Sequence, residues 1–304
     1  MTAKSSARPA FTLFQLLALL ALLVFLLGLL LPAVAKVRAA AARIQSQNNL
    51  KQIGLACHNY HDTAACLPEG CDGNHFSAAA RLLPFIEQDN LYKNLDFTKP
   101  ITAEKNKQVG GALLRIFANP RDPVETVEKG YAPTNYLFNA GSKHSLTDND
   151  GIFYMNSAVR FADVTDGLSN TLFTGETLKG DAKAKPGDLR RHHVALKKAD
   201  LKKLKDDSGV KDFKDGKHIA SDRGAAWIDG RFLKGTFNGT RKINDPRPDV
   251  DCGGEGGLSG LRSLDNGANV GFADGSVRYI LDSVDANVWR LLTSRNDGQA
   301  LPDF

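Results

Sequence analysis

His58 and His61 stand three residues apart, with Asp62 beside the second. On a helix this spacing puts both rings on one face, a geometry that can hold a metal ion or pass a proton. No H-E-x-x-H pattern surrounds them and no third ligand can be named, so the expectation is a structural pair, with a metal as the alternative. Asp148 and Asp150 before Gly151, and Asp163 and Asp166 before Gly167, superficially resemble calcium loops. The EF-hand template needs an acid where Leu146 falls and a closing Glu that is missing. Asp-x-Asp-Gly is more simply a turn in which Asp binds its own backbone. No cofactor is therefore expected, with calcium near Asp163 and Asp166 as the alternative. There is no G-x-S-x-G elbow, P-loop or catalytic-cysteine signature, so the reading is non-enzymatic. An envelope hydrolase would need clustered carboxylates around a pocket.

Cys57, Cys66, Cys71 and Cys252 allow three connectivities if the body is exported. Cys66 and Cys71 share a Pro/Gly-rich loop and form the favoured disulfide. Zinc would require a second close Cys/His pair near Cys252, which is absent.

These residues need elements to position them. Phe11 to Ala35 carries no charge and is mostly Leu, long enough as a helix to cross a bilayer. Lys4 and Arg8 precede it in a basic leader, 1–10. A cleaved secretory signal is one alternative, since Ala33-Val34-Ala35 fits the A-x-A rule, but the apolar run exceeds the usual length. A plain signal anchor is the other. After Pro32, Val34, Val37, Ala41, Ile44, Leu50, Ile53, Cys57 and Tyr60 recur mostly at three- and four-residue steps. That period predicts an amphipathic stalk over 36–62, continuous with the membrane segment as one helix over about 12–61. The remainder, 63–304, reads as an exported α+β domain with an antiparallel sheet. A helix is expected over 77–95, a helix or buried strand over 109–118, and short strands over 131–178. Strands near 225–238 should be followed by a hairpin on Asp274-Gly275 and a last helix near 283–294.

The net charge of +5 is unevenly spread. Residues 1–61 hold six basic side chains and no acid, and 179–217 holds thirteen basic and seven acidic ones, leaving the rest mildly acidic. The basic balance therefore does not argue for nucleic acid. Within 179–217, Asp188 can cap a charged helix over 189–206, headed by Arg190, Arg191, His192 and His193. This insert reads as a solvated surface or as a contact for an acidic partner or polymer.

Two resemblances sharpen the picture. Pro9-Ala10 followed by Phe11-Thr12-Leu13-Phe14-Gln15 resembles the type IV prepilin and pseudopilin signal, cut before Phe and methylated at the new amino terminus. Ala10 stands where that signal has Gly, and Gln15 where it has Glu. In pilin-like fibres the Glu neutralises a neighbouring subunit's amine, a countercharge Gln15 cannot supply. Further on, Gln47 to Ala56 and His58-Asn59-Tyr60-His61-Asp62 are similar to a large bacterial family of pilin-like, membrane-anchored proteins of unknown function. Its members pair a prepilin-type start with a carboxy-terminal H-x9-DG motif. Similar segments follow in order at Ala80–Gln88, Asn135-Tyr136, Asp163–Thr171, Gly175-Glu176, Arg223-Gly224 and Phe272–Arg278. Leu264 occupies the position of the motif's His, and Ala118 that of a Cys in a C-P-S-D-P run, which excludes a disulfide from there.

The resemblance implies a pilin-like body packed on the long helix and a single-pass protein of the bacterial inner membrane. Its amino terminus would be cytoplasmic and its body periplasmic. Its expected partners are the membrane, a prepilin peptidase acting at Ala10–Phe11, and other pilin-like or envelope proteins of a type IV pilus or type II secretion-like system. The alternative is an anchored or secreted ligand-binding module that uses its amino terminus only for export.

Overall fold

The computed structural model describes residues 13–183, 185 and 187–302. Two compact units divide between Ile44 and Gln45.

Helix α1, Leu13–Ala64, is one uninterrupted element of 52 residues, close to the range that its apolar period predicts. Its first part is long and apolar enough to cross a membrane by length and composition, and Leu13, Phe14, Val24 and Leu31 are exposed. From Gln45 onward the helix belongs to the body, with Leu50, Ile53, Ala56 and Cys57 fully buried. Val34, Val37 and Ile44, earlier in the same stripe, are exposed.

The body is α+β, with mixed rather than purely antiparallel sheets. Short helices α2 (Ala78–Leu82), α3 (Asp89–Tyr92) and α4 (Glu104–Gly110) precede the strands. Strands β1 (Tyr136–Gly141), β2 (Leu172–Glu176), β3 (His193–Leu196), β4 (Ile219–Ala220) and β5 (Thr236–Asn238) follow, with α5 (Val210–Lys214) between β3 and β4. The chain continues through β6 (Asp249–Cys252), β7 (Gly257–Leu258), β8 (Gly267–Phe272), β9 (Val277–Leu281) and helix α6 (Ala286–Thr293). A five-stranded sheet has the order β5-β1-β2-β8-β9, and β1–β5 is its parallel pair. A second sheet runs β4-β3-β6-β7, with β3–β6 parallel.

Both faces of the larger sheet are covered, so β1 and β8 are buried along their whole length. Phe138 and Phe173 join Leu50, Ile53, Cys57, Phe153 and Trp227 in one core cluster. Leu137, Leu172, Phe237 and Val270 meet Trp289 and Leu292 of α6 in another. This alternation is the period-two signature of a strand whose successive side chains enter opposite layers. The Asp274-Gly275 hairpin forms as its dipeptide requires, with Gly275 at φ +81°. A Cβ at Gly54 would lie only 3.6 Å from the Gly275 Cα, so α1 runs closely past this turn. Helix α6 matches its predicted range and buries Val288, Leu291 and Leu292.

The charged helix expected over 189–206 does not form. His193–Leu196 is strand β3, captured by parallel pairing with Asp249–Cys252. A 3-10 turn at Lys198–Lys203 follows it. Leu201, Leu204, Phe213 and Ile219 pack instead on Val194, Val250, Cys252 and Leu258. The helix expected over 77–95 breaks into α2, a 3-10 turn containing Pro84, and α3, because proline withholds an amide and Glu87 turns left-handed at φ 62°.

Candidate functional site

His58 and His61 do come together, but around an aromatic ring. His58 stacks on Phe161 at 4.6 Å between centroids, and its Nε2 donates to the Ala273 carbonyl at 2.9 Å. His61 packs on the same ring at 4.2 Å, and its Nε2 accepts from the Phe161 amide at 3.4 Å. His61 Nδ1 then carries the ring proton in the neutral form and lies 4.0 Å from Asp62. The pair fastens α1 to the loop before β2 and to the β8–β9 turn.

The aspartate loops satisfy themselves. Asp163 is held by Arg160, whose side-chain and backbone hydrogen bonds keep its carboxyl below the usual range. Asp166 accepts from the Asp297 and Gly298 amides, tying down the chain after α6. Asp150 accepts from the amide and hydroxyl of Ser142. Among the described residues no three His, Cys, Asp or Glu side chains converge as a metal site. The favoured Cys66–Cys71 disulfide is not formed. All four cysteines are free, and the buried thiols of Cys57, Cys71 and Cys252 are inert partners in packing. Ala10 and Phe11 lie outside the described residues, and Gln15 falls in the first turn of α1.

Three other arrangements carry more chemistry. The first is a polar clamp between α1 and the larger sheet. The Glu176 carboxylate accepts from Ser46 Oγ at 2.5 Å, Asn119 Nδ2 at 2.7 Å and Asn269 Nδ2 at 2.8 Å. Ser46 Oγ also lies 2.9 Å from the Tyr136 hydroxyl, which burial keeps protonated. Gly175-Glu176 was visible as a motif in the sequence, but the partners of Glu176 lie on three separate segments.

The second is a charge cluster beneath the smaller sheet. Asp249, fully buried, bridges Arg223 and Arg262, both also buried. Burial pushes Arg223 down to about 9, reinforced by the like charge of Arg262, and pushes Arg262 down to about 10. Beside them His193 is buried 3.2 Å from Asp222, which Lys234 also engages at 2.7 Å. Burial lowers His193 to about 4 despite Asp222. His192 points elsewhere, bonding the Asp188 carbonyl at 2.9 Å. Both histidines are interior residues of β3 or its entry, not the head of an exposed helix.

The third is an open groove of about 610 Å³ along α1, formed by Gln52 and Leu55, by Phe85 and Ile86, and by Leu113 and Ile116. Leu55 is 61 % exposed and Leu113 66 %, an unusual pairing of large apolar side chains on a folded body. Glu87, Gln88 and Arg115 also line the groove, so charged and amide groups border its apolar wall.

Together these features define an α+β body bedded on the second part of α1. The chain belongs to the family described as "Protein of unknown function (DUF1559)", under the short name SBP_bac_10, whose model matches residues 35–287. The match starts inside α1 and ends inside α6, so it takes in the stalk as well as both sheets. No curated protein and no solved structure matches the chain.

Proposed function

We propose that this chain is a non-enzymatic, membrane-anchored pseudopilin-like envelope protein that works by assembling with other envelope proteins. One observation carries the reading: a single helix joins an exposed apolar segment to a half embedded in the body's core. The apolar half would act as the anchor, in the orientation amino terminus cytoplasmic and body periplasmic. The basic residues of the leader support that orientation. The apolar groove beside Leu55 and Leu113 supplies a surface for protein contact. Gln15 in place of an acid argues for a minor or initiating component rather than the repeating subunit of a fibre.

Mass spectrometry of the mature amino terminus in membrane and soluble fractions tests the reading. A methylated Phe11 start in membranes supports processing by a prepilin peptidase. A soluble form beginning at Lys36 would mean a cleaved secretory signal and would sink the anchoring role. An intact start in membranes would retain the anchor and remove the pilin-type route.

A further inference from the structure

A cleft of about 520 Å³ separates the loop after α1 from the turn at Lys198–Lys203. That volume falls within the range of small-ligand sites. One wall carries His75, held in the left-handed region at φ 69°. Its amide donates to the Asp72 carbonyl and its own carbonyl accepts from Gly230, both at 2.9 Å, so the strained conformation is fixed. His75 Nδ1 is buried with no hydrogen-bond partner, and the residue lines the cleft. Ser145 and Thr147 present hydroxyls 2.9 Å apart, and Met155 and Leu201 add apolar surface.

The opposite rim is cationic. Lys198 is paired with Glu255 at 2.6 Å, but Lys202 makes no ion pair among the described residues. Outside the cleft Lys197, Lys203, Lys205, Lys211 and Lys214 are likewise exposed and unpaired, against Asp200, Asp207 and Asp212. The apolar residues between them turn inward on Val194 and Val250, so the lysines face solvent from a packed support. Asp72, the cleft's other carboxylate, is already engaged by Arg81 and by the amides of Asn74 and Phe76.

Lysine supplies a point charge rather than the fork that selects one oxyanion geometry. Convergent hydroxyls and an imidazole suit polyhydroxylated ligands. Among the described residues of 179–217 no large apolar or aromatic side chain is exposed, which disfavours insertion into lipid and stacking on nucleic acid bases. We propose that the cleft binds a segment of an acidic glycan, with Lys202 meeting a carboxylate and His75, Ser145 and Thr147 meeting sugar hydroxyls. This inference rests on the body alone and holds however the amino terminus is processed.

The test is calorimetric titration of the full chain in non-ionic detergent with oligogalacturonate and with its methyl-esterified, uncharged form. Saturable binding of the acid form is expected, weakening about tenfold from low to near-molar salt. Lys202→Gln should weaken it about fivefold to tenfold, the loss of one partly desolvated charge contact. His75→Asn, which tolerates the left-handed backbone, should weaken it about threefold or more with an unchanged thermal melt. The double change Lys211→Gln and Lys214→Gln, remote from the cleft, should cost less than about twofold. No saturable binding at low salt, equal binding of the esterified form, or an equal loss in the remote double variant would each overturn the assignment.

Discussion

Arg262 clasps Asp249 in full burial, with Nη2 at 2.5 Å from one carboxylate oxygen and Nε at 3.2 Å from the other. Arg223 holds that second oxygen from the opposite side. Two cations therefore share one anion where solvent is excluded, and the remaining Arg262 donors reach the Asp245 and Arg247 carbonyls. Such a network stabilises little beyond an apolar replacement, but removing its one anion leaves two charges without compensation. Asp249→Ala should lower unfolding stability by about 3–5 kcal/mol. Urea denaturation of the wild type and variant checks this. A loss below about 1 kcal/mol would mean that water or another carboxylate takes over the role.

The pH response of the smaller sheet should contain two opposed contributions. Burial lowers His193 from 6.5 to about 4, with Asp222 opposing and Arg223, Lys234 and His192 adding to the shift. A base depressed in the folded state contributes stability above its unfolded value that is lost as pH falls from about 6.5 towards 4, here roughly 3 kcal/mol. Asp251 runs the other way: burial raises its carboxyl from 3.8 to about 7, so its contribution is lost as pH rises through that window. In the wild type the two slopes offset each other. Asp251→Asn should expose the His193 slope, giving a protein less stable at pH 4.5 than at pH 7. His193→Gln should expose the reverse slope. Urea midpoints of both variants at the two pH values decide it, and equal midpoints in each would remove the assignment.

Much of the fold was legible because its signals were local. The uncharged leucine run and the three- and four-residue period gave α1, Asp274-Gly275 gave the β8–β9 hairpin, and Val288, Leu291 and Leu292 gave α6. The smaller sheet was not legible. Asp188 can cap a helix locally, yet β6, more than fifty residues onward, pairs with His193–Leu196 and decides the outcome. The same holds for the charge cluster, since nothing local links Arg223, Asp249 and Arg262. The partner that His58 and His61 share, Phe161, lies about a hundred residues away and left no trace in their spacing.

The two faces of α1 within the body should respond differently to substitution. Ile53 is fully buried against the sheet, whereas Leu55, two residues on, is 61 % exposed beside the groove. Ile53→Ala should cost about 2–5 kcal/mol, because the packed core cannot close around the missing carbons. Leu55→Ala should stay within about 0.5 kcal/mol of the wild type. Leu55→Asp combined with Leu113→Asp should leave the melt nearly unchanged while reducing chemically crosslinked assemblies in membranes. Unaltered crosslinking would remove the groove from the assembly surface.

The Glu176 clamp makes a last prediction about how firmly α1 is seated. Its carboxylate is the common acceptor for Ser46, Asn119 and Asn269, three donors from α1, the loop before β1 and strand β8. Glu176→Gln keeps the size but exchanges one acceptor oxygen for a donating amide. That amide would face Ser46 and Asn269 or Asn119, leaving at least one buried donor unmet, at a cost of about 1–3 kcal/mol. Because the lost bonds join separate elements rather than lie within one, the effect should concentrate where they meet. Hydrogen exchange should quicken at Ser46 to Leu50 while β8 and β9 keep their protection. Uniform quickening across the body would instead mark Glu176 as a contributor to global stability. Ser46→Ala should reproduce the local effect more weakly, since Asn119 and Asn269 would still satisfy the carboxylate.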